Sequence, residues 1–340
     1  MRALRKTRKC LNCGTPLDEV YNYCPNCGQQ NDDKNVSFKD LSRDLFENFF
    51  SFDSRLAHTF VPFFFKPGHL TNEFNKGRRF TYANPIRLYI IVSVFYFFVL
   101  NVIVGDATRE FDAAMDSPEA DSVQTAVLAE LDSSDINIDN GPVQFNMASE
   151  DSSQLWPMNN GQWQLFFELK DRDELSEDQF FDSLRVENRH AFTQYTVRQI
   201  IRVYKKDKEH LTSKIVQNLS LMMFIMIPVF ALLLKLLYVR RKILYINHLI
   251  HTIHIHTFAF FIYGMTMAIA YWGVDSDNLR GWMFFGSVVL VSTYAYLSFK
   301  NVYGQKWFKT LIKFWLTGLI YFYVVIFALF VEMFVSFLVF

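Results

Sequence analysis

The chain has 340 residues, with 34 basic and 34 acidic side chains, and therefore carries no formal net charge at neutral pH. This balance excludes a bulk electrostatic attraction to nucleic acid, so no specific nucleic-acid binding is expected. Hydrophobic residues make up 51% of the chain and include 37 Phe and 16 Tyr, more than a soluble core requires.

All four cysteines stand in two C-x-x-C pairs near the N-terminus, Cys10 with Cys13 and Cys24 with Cys27. A glycine follows each pair and permits the tight turn that lets backbone amides approach the sulfurs. Soft thiolates at this spacing suit a tetrahedral Zn²⁺ ion. Disulfides are the alternative in an oxidising compartment, but compact pairs behind a basic arm favour reduced ligands that face a cytosol. The sequence predicts a structural zinc ribbon over residues 1–33, with no cleavable signal peptide before it.

Residues 34–84 are predicted to form an amphipathic interfacial helix followed by a basic turn. Ser37-Phe-Lys-Asp40 resembles a capping box. Apolar residues then recur at three- and four-residue steps, at Phe38, Leu41, Leu45, Phe49, Phe52 and Leu56. Such a helix can lie in the membrane interface or pack on the spans. Phe60-Val-Pro-Phe-Phe-Phe65 extends the apolar surface, Pro67-Gly68 turns the chain, and Lys76-Gly-Arg-Arg79 is expected at headgroup depth.

Five apolar segments have the length of a bilayer-spanning helix, about 20 residues. They cover residues 85–104, 215–237, 253–274, 281–299 and 314–340. Buried helices of a soluble protein are the alternative, and five such runs in one chain argue against it. We therefore predict an all-α polytopic membrane protein, with one transmembrane helix at 85–104 and a four-helix transmembrane domain at 215–340.

Basic residues in the short flanks predict the orientation. They precede the first span, follow the second and separate the fourth from the fifth: Arg78, Arg79, Arg87, Arg240, Arg241, Lys242, Lys300, Lys306, Lys309 and Lys313. This places the N-terminus in the cytoplasm and the C-terminus in the periplasm of a bacterial inner membrane. The lysines between Lys205 and Lys214 disagree, but long loops cross with little regard to charge.

The predicted extracytoplasmic loop, residues 105–214, changes in character along its length. From Asp106 to Leu184 it holds 19 acidic residues, and its first part, poor in apolar side chains, is expected to stay flexible. Residues 156–169 are more apolar and suggest a short strand or docking segment. Residues 185–214 are basic and helical in pattern, either a helix along the headgroups or a solvated extension of the second span.

A histidine-rich run at the predicted cytoplasmic end of the third span is the second group of candidate site residues. His248, His251 and His254 fall on one helical face, while His256 points elsewhere. They could bind a metal, relay protons or contact a lipid phosphate, or they could simply pack against neighbouring helices. Glu332, near the end of the fifth span, is an intramembrane carboxylate and therefore a candidate, although its position could equally place it in the headgroups.

These motifs together resemble a bacterial family of unknown function that joins an N-terminal zinc ribbon to a multi-span membrane domain. The resemblance rests on Cys10-Leu-Asn-Cys-Gly14, Tyr23-Cys-Pro-Asn-Cys-Gly-Gln29, Lys66-Pro-Gly68, Lys76-Gly-Arg-Arg-Phe-Thr-Tyr82, Pro85-Ile-Arg-Leu88 and Tyr245-Ile-Asn-His-Leu-Ile-His-Thr-Ile-His-Ile-His-Thr-Phe258. Members of that family tend to carry Glu before the first histidine, where this chain has Asn247, which weakens a metal site there. The resemblance implies a cell-membrane protein and brings no activity.

Three classes of function follow. The first is a non-enzymatic inner-membrane protein, a scaffold or a component of a membrane complex, whose zinc ribbon docks a protein partner. The second is a transporter or lipid-handling protein that uses the histidine stripe, Glu332 and small residues that permit close helix packing. A membrane-embedded enzyme that uses the histidines ranks last, because no carboxylate–histidine constellation is visible. The sequence also contains no Gly-rich phosphate loop, no G-x-S-x-G and no H-E-x-x-H.

Overall fold

Helices build most of the described chain, which in the computed structural model comprises residues 6–31, 54–115, 158, 160–169, 175–186, 190–205 and 208–339. In order they are α1 (Ser54–Phe65), α2 (His69–Asn75), α3 (Pro85–Met115), α4 (Asn160–Leu169), α5 (Glu177–Ser183), α6 (Ala191–Lys205), α7 (Lys208–Leu237), α8 (Tyr245–Gly273), α9 (Asp277–Tyr303) and α10 (Trp307–Val339). Within these residues no strand forms, and β-pairing is limited to isolated bridges. The predicted all-α class is confirmed.

Five helices are long and apolar enough to cross a bilayer, which confirms a multi-pass architecture. The candidate spans are Pro85–Glu110, Lys214–Leu237, Tyr245–Gly273, Asp277–Tyr303 and Trp307–Val339. Several are longer than the apolar runs in the sequence, because helical hydrogen bonding continues through polar residues that a hydropathy criterion leaves out. As a result the whole histidine run, including His248 and His251, lies within the third candidate span, in the first turns of α8.

One unit of the described chain consists of Met1–Leu100 and Ser220–Ala328. Its apolar interior forms where α7, α8 and α9 meet. The buried members of that cluster are Phe230, Leu234, Tyr238, Ile255, Ala295, Phe299 and Tyr303. Tyr238 and Tyr303, at the ends of α7 and α9, stack with ring centroids 3.7 Å apart. This contact brings the ends of α7 and α9 together with the start of α8.

Helices α1 and α2 form a short hairpin that packs into this unit against α8 and α9. Phe63 on α1 is buried, and its carbonyl accepts a 2.6 Å hydrogen bond from the hydroxyl of Tyr294. The turn between the two helices needs Gly68, whose φ is 77° and whose added Cβ would lie 3.0 Å from Val302 and 3.1 Å from the carbonyl oxygen of Ser298. The turn predicted at Pro67-Gly68 is therefore present, and the segment packs on the spans.

A second unit consists of Asn101–Leu219 and Leu329–Phe340. Its core gathers side chains of α4, α5, α6 and the residues beside them, namely Met158, Phe166, Leu169, Phe180, Phe181, Leu184, Val186, Val197 and Ile201. A capping box at Ser176 begins α5.

This core bears on two expectations. The apolar segment is the helix Asn160–Leu169 instead of a strand, and its side chains Phe166 and Leu169 are buried in the core. In the basic stretch, α6 (Ala191–Lys205) buries Val197 and Ile201 in this core, and α7 begins at Lys208.

Two predicted segments lie outside the described residues. The amphipathic helix from Ser37 falls in residues 32–53, and the first part of the acidic loop falls largely in residues 116–157. The domain boundaries derived from the sequence therefore remain predictions.

Candidate functional site

The four cysteine sulfurs converge on one point in the N-terminal module, residues 6–31. All four lie within 4.8 Å of one another. In the described part of the chain, they are the group of His, Cys, Asp or Glu side chains that could hold a metal ion. Sγ of Cys10 is 3.6 Å from Sγ of Cys27, and Sγ of Cys13 is 3.6 Å from Sγ of Cys24. These distances are far longer than a disulfide of about 2.05 Å. They match the edge, about 3.8 Å, of a tetrahedron with metal–sulfur bonds of about 2.3 Å.

Two backbone turns of the same design present the sulfurs. In each turn the glycine amide donates to the carbonyl of the first cysteine, from Gly14 to Cys10 and from Gly28 to Cys24, both at 2.9 Å. Both glycines have a positive φ, 79° and 77°. The repeated C-x-x-C-G sequence therefore folds into two equivalent halves that face each other across the sulfur cluster.

The pKa values of Cys10, Cys13 and Cys27 are shifted in different directions. Hydrogen bonds from the side chain and backbone of Thr15 lower the pKa of Cys13 to about 6. Burial raises the pKa of Cys27 to about 12 and also raises that of Cys10. Four adjacent thiolates repel one another unless a cation lies between them, so this donor set fits a thiophilic metal ion. A bound metal would hold the two halves of the module together.

The cysteine module is attached to the basic turn between α2 and α3. Nε2 of Gln29 donates to the carbonyl of Gly77 at 2.9 Å, and Oε1 of Gln29 accepts from the amide of Arg79 at 3.2 Å. Thr81 donates to Oδ1 of Asn12 at 2.8 Å. Gly77 allows close approach, because a Cβ there would lie 2.7 Å from Leu11.

The basic turn is itself held by a carboxylate that the sequence reasoning missed. Glu73 on α2 is buried and forms ion pairs with Lys76 at 2.9 Å and Arg78 at 2.6 Å. Burial opposes ionisation of Glu73, but the hydrogen bonds from Lys76 and Arg78 prevail and lower its pKa. Two of the charges expected to sit freely at headgroup depth are therefore paired. An acidic residue three positions before Lys76 was the signal in the sequence.

The candidate histidines are all buried at the start of α8. His248 and His251 share the hydroxyl of Tyr303, which lies 2.8 Å and 3.3 Å from their respective Nδ1 atoms. Nε2 of His251 lies 2.9 Å from Oγ of Ser298. These contacts form one hydrogen-bonded chain, Ser298–His251–Tyr303–His248, that joins α8 to α9.

The other two histidines have separate partners. Nδ1 of His254 lies 2.9 Å from Oγ1 of Thr71 on α2, and Nε2 of His256 lies 2.9 Å from the hydroxyl of Tyr321 on α10. The stripe read from the sequence is therefore split between two neighbouring elements. No metal-capable grouping of these histidines with one another or with a carboxylate is found in the described ranges.

Glu332 lies in the second unit. Its Oε1 accepts a 2.6 Å hydrogen bond from Ser336, whose hydroxyl accepts from Asn218 on α7 at 2.7 Å. Glu332 follows the start of α10 by 25 residues, about 38 Å of helix, which exceeds the hydrocarbon thickness of about 30 Å. The helix length thus favours a position near the membrane surface.

Fold and site together define a multi-pass helical membrane protein with a four-cysteine, metal-capable module. Residues 53–97 are similar to a family described as a protein of unknown function (DUF3667). That segment comprises α1, α2, the basic turn and the first part of α3, which connect the cysteine module to the spans. No curated protein and no solved structure matches the chain.

Proposed function

We propose that this chain is a non-enzymatic protein of the bacterial inner membrane whose cysteine module is a zinc ribbon and docks a protein partner in the cytoplasm. In this proposal Zn²⁺ has a structural role. The observation that carries it is the tetrahedral cluster of four sulfurs, fixed through Gln29 to the membrane-embedded unit. A module of about 25 residues is too small to build a sufficient core without a metal.

The exposed surface of the module supports a docking role. Val20, Tyr21 and Tyr23 are 85%, 44% and 62% exposed, although the module has few apolar residues. Tyrosines of this kind are enriched in protein interfaces, because they bury a large area at a small cost in side-chain entropy. Other residues of the module, Asn12 and Gln29, contact residues 77–81 instead.

The contacts of the histidines support packing more than transport or catalysis. Each of the four rings is buried, and each has a hydrogen bond to Tyr, Ser or Thr, or to a backbone carbonyl. Such bonds satisfy polar groups inside a helix bundle. These buried, hydrogen-bonded rings therefore do not form an open cluster to which a transported ligand could bind, which argues against the transporter alternative.

Metal analysis tests the zinc assignment. The purified full-length chain should contain one zinc per polypeptide, and the double variant Cys13→Ser/Cys27→Ser should lose it. His254→Gln is the matched control and should retain the metal, because it removes a potential nitrogen ligand without touching the sulfurs. A zinc-free wild type, or full zinc retention by the cysteine variant, would refute the proposal.

Site-specific photo-crosslinking tests the docking role. A crosslinker at Tyr21 in native membranes should capture a discrete partner, whereas one at Asn26, an exposed polar position of the same module, should not. The capture should disappear in the Cys13→Ser/Cys27→Ser background. Equal labelling from both positions would argue against a docking surface at Tyr21.

Thiol labelling tests the orientation. A cysteine replacing Ser276, in the exposed turn between α8 and α9, should react with a membrane-impermeant reagent on intact cells. A cysteine replacing Ser133, in the acidic loop, should react as well. A cysteine replacing Lys306, in the turn between α9 and α10, should react only after lysis. Protection at Ser133 alone would overturn the periplasmic loop.

A further inference from the structure

Basic residues crowd one end of the first unit, where α7 and α9 end and α8 and α10 begin. We call this the basic end. Residues 235–248 and 299–313 contain no Asp or Glu, and they supply the following cations: Lys235, Arg240, Arg241, Lys242, Lys300, Lys306, Lys309 and Lys313. The positive charge of these segments therefore has no carboxylate partner close in sequence.

Two of these lysines point back into the protein. Nζ of Lys313 donates to the carbonyl of Leu237 at 2.8 Å, and Nζ of Lys235 donates to the carbonyl of Ile243 at 2.5 Å. Both side chains are half-buried, and their partners are neutral carbonyls. Among the described residues neither lysine forms an ion pair; the carboxylate of Glu73 is used by Lys76 and Arg78. Half-buried ammonium groups without a counter-charge favour an anionic ligand.

Two buried polar atoms at the same place also lack a partner among the described residues. They are the hydroxyl of Tyr238 and Nε2 of His248. Nζ of Lys313 lies 3.9 Å from the centre of the Tyr238 ring, and the rings of Tyr238 and His248 are 6.4 Å apart. Buried polar groups normally have a hydrogen-bond partner. Among the described residues at this location, two buried polar atoms lack such a partner and two half-buried lysines lack a counter-charge.

The hydrogen-bonded chain of α8 and α9 ends at that location. If Ser298 donates to His251, His251 to Tyr303 and Tyr303 to Nδ1 of His248, then Nε2–H of His248 is a donor that requires an acceptor. The reversed chain leaves Nε2 as an acceptor instead. Lys235 acts electrostatically on His248, so an anion at this end would stabilise the first arrangement and neutralise the lysine as well.

We propose that the basic end binds a phosphate group, with Lys235 and Lys313 as its principal ligands and with Arg240 and Arg241 on the α7–α8 connection as outer contacts. Phosphate offers several anionic oxygens to ammonium and guanidinium groups. The flexible lysine stems can leave their carbonyls and close over it. The phosphate belongs to an anionic phospholipid headgroup or to a soluble phosphate, and both present the same chemistry.

Lipid binding by the purified full-length protein tests this site. Native mass spectrometry would follow retention of phosphatidylglycerol against phosphatidylcholine, with binding constants measured at about 0.3 M salt to screen distant charges. Lys235→Gln/Lys313→Gln should weaken phosphatidylglycerol binding about 25-fold, since each lysine that contacts the phosphate directly contributes roughly a factor of five, and a direct contact is not screened by salt. Lys300→Gln/Lys306→Gln removes two exposed charges from the same end and should stay within about twofold of wild type.

A second variant covers the case in which the half-buried lysines are needed for folding. Arg240→Gln/Arg241→Gln alters exposed side chains and should weaken the same lipid severalfold. Competition by inorganic phosphate would identify a soluble phosphate as sufficient, and lack of competition would assign the site to lipid. Equal affinity for the two lipids with no phosphate binding, or an equal loss in the Lys300→Gln/Lys306→Gln control, would overturn the proposal.

Discussion

Gln29 and Gly77 connect the metal-capable module to the membrane-embedded unit. The Gln29 side chain is 6% exposed, and its Nε2 donates to the Gly77 carbonyl at 2.9 Å while its Oε1 accepts from the neighbouring turn. A primary amide is suited to this position because it offers a donor and an acceptor at once. The stability of the cysteine module and the position of the basic turn are therefore linked through the Gln29 side chain, beside the hydrogen bond from Thr81 to Asn12.

Replacing Gln29 with Ala should weaken the attachment of the cysteine module to the basic turn without removing the bound metal. The change leaves the Gly77 carbonyl and the Arg79 amide without their partner, at a cost of about 1–3 kcal/mol for the attachment. Hydrogen exchange of residues 77–81 should accelerate while metal content stays unchanged. Gln30→Ala is the matched control, since Gln30 is adjacent and its side chain forms no hydrogen bond in the described structure. Unaltered exchange in Gln29→Ala would show that the attachment is not made through this side chain.

Metal affinity should fall as the pH falls, because binding displaces thiol protons. Burial raises the pKa of Cys10 and Cys27, so these thiols are protonated at neutral pH until the metal binds. Each displaced proton weakens binding by about tenfold per pH unit below the pKa of its thiol. Chelator competition at several pH values measures the slope, and a flat profile between about pH 6 and 8 would exclude thiolate ligation.

Thr15→Val should weaken metal binding near neutral pH but not at high pH. Thr15 lowers the pKa of Cys13 to about 6, so its loss raises the pKa of this thiol. At pH near 7 the wild-type Cys13 is largely a thiolate. The variant keeps only the backbone hydrogen bond of residue 15, so a larger fraction of its thiol is protonated and metal binding weakens severalfold; above about pH 9 both are thiolates and the difference vanishes. Thr7→Val, whose hydroxyl contacts Asn31 and the Lys9 carbonyl, should bind metal like wild type at every pH. An equal loss at all pH values would point to a folding defect instead.

Gly68→Ala should destabilise the first unit more than Gly304→Ala. Both glycines have a positive φ, 77° and 56°, so Ala at either position incurs backbone strain of roughly 1–2 kcal/mol. Only at Gly68 would the new Cβ also meet neighbours, at 3.0 Å from Val302 and 3.1 Å from Ser298, whereas nothing lies within 4 Å at Gly304. Thermal unfolding in detergent compares the pair. Equal losses would indicate that the α1–α2 hairpin does not pack this closely on α9.

Tyr303→Phe should lower stability by about 1–3 kcal/mol, because two buried histidines lose their shared hydroxyl. Tyr296→Phe is the control on the same helix. Its exposed hydroxyl donates to the Trp307 carbonyl at 3.3 Å, and its loss should cost no more than about 0.5 kcal/mol. Denaturation in mild detergent, followed by tryptophan fluorescence, measures both variants. Indistinguishable curves would show that the chain joining Ser298 to His248 contributes nothing to packing.

The sequence alone determined the features that depend only on residues adjacent to one another in the chain. Two C-x-x-C-G pairs specify two equivalent turns, and apolar runs of membrane length specify spanning helices, because each of these signals is complete within a short segment. Pro67-Gly68 likewise predicted a turn. Hydropathy missed the true helix ends, since helical hydrogen bonding does not stop where apolar residues do.

Only the tertiary structure decided which of these segments meet. Gln29 and Gly77 are 48 residues apart in sequence, and Thr71 and His254 are 183 apart, so no local pattern encodes either contact. Glu73 was overlooked for the same reason, because its burial depends on where α2 packs. Periodicity placed His248, His251 and His254 on one face, yet their partners belong to two different helices, α9 and α2. Hydrogen-bond partners are chosen by the packing of distant helices, and periodicity within one helix cannot reveal them.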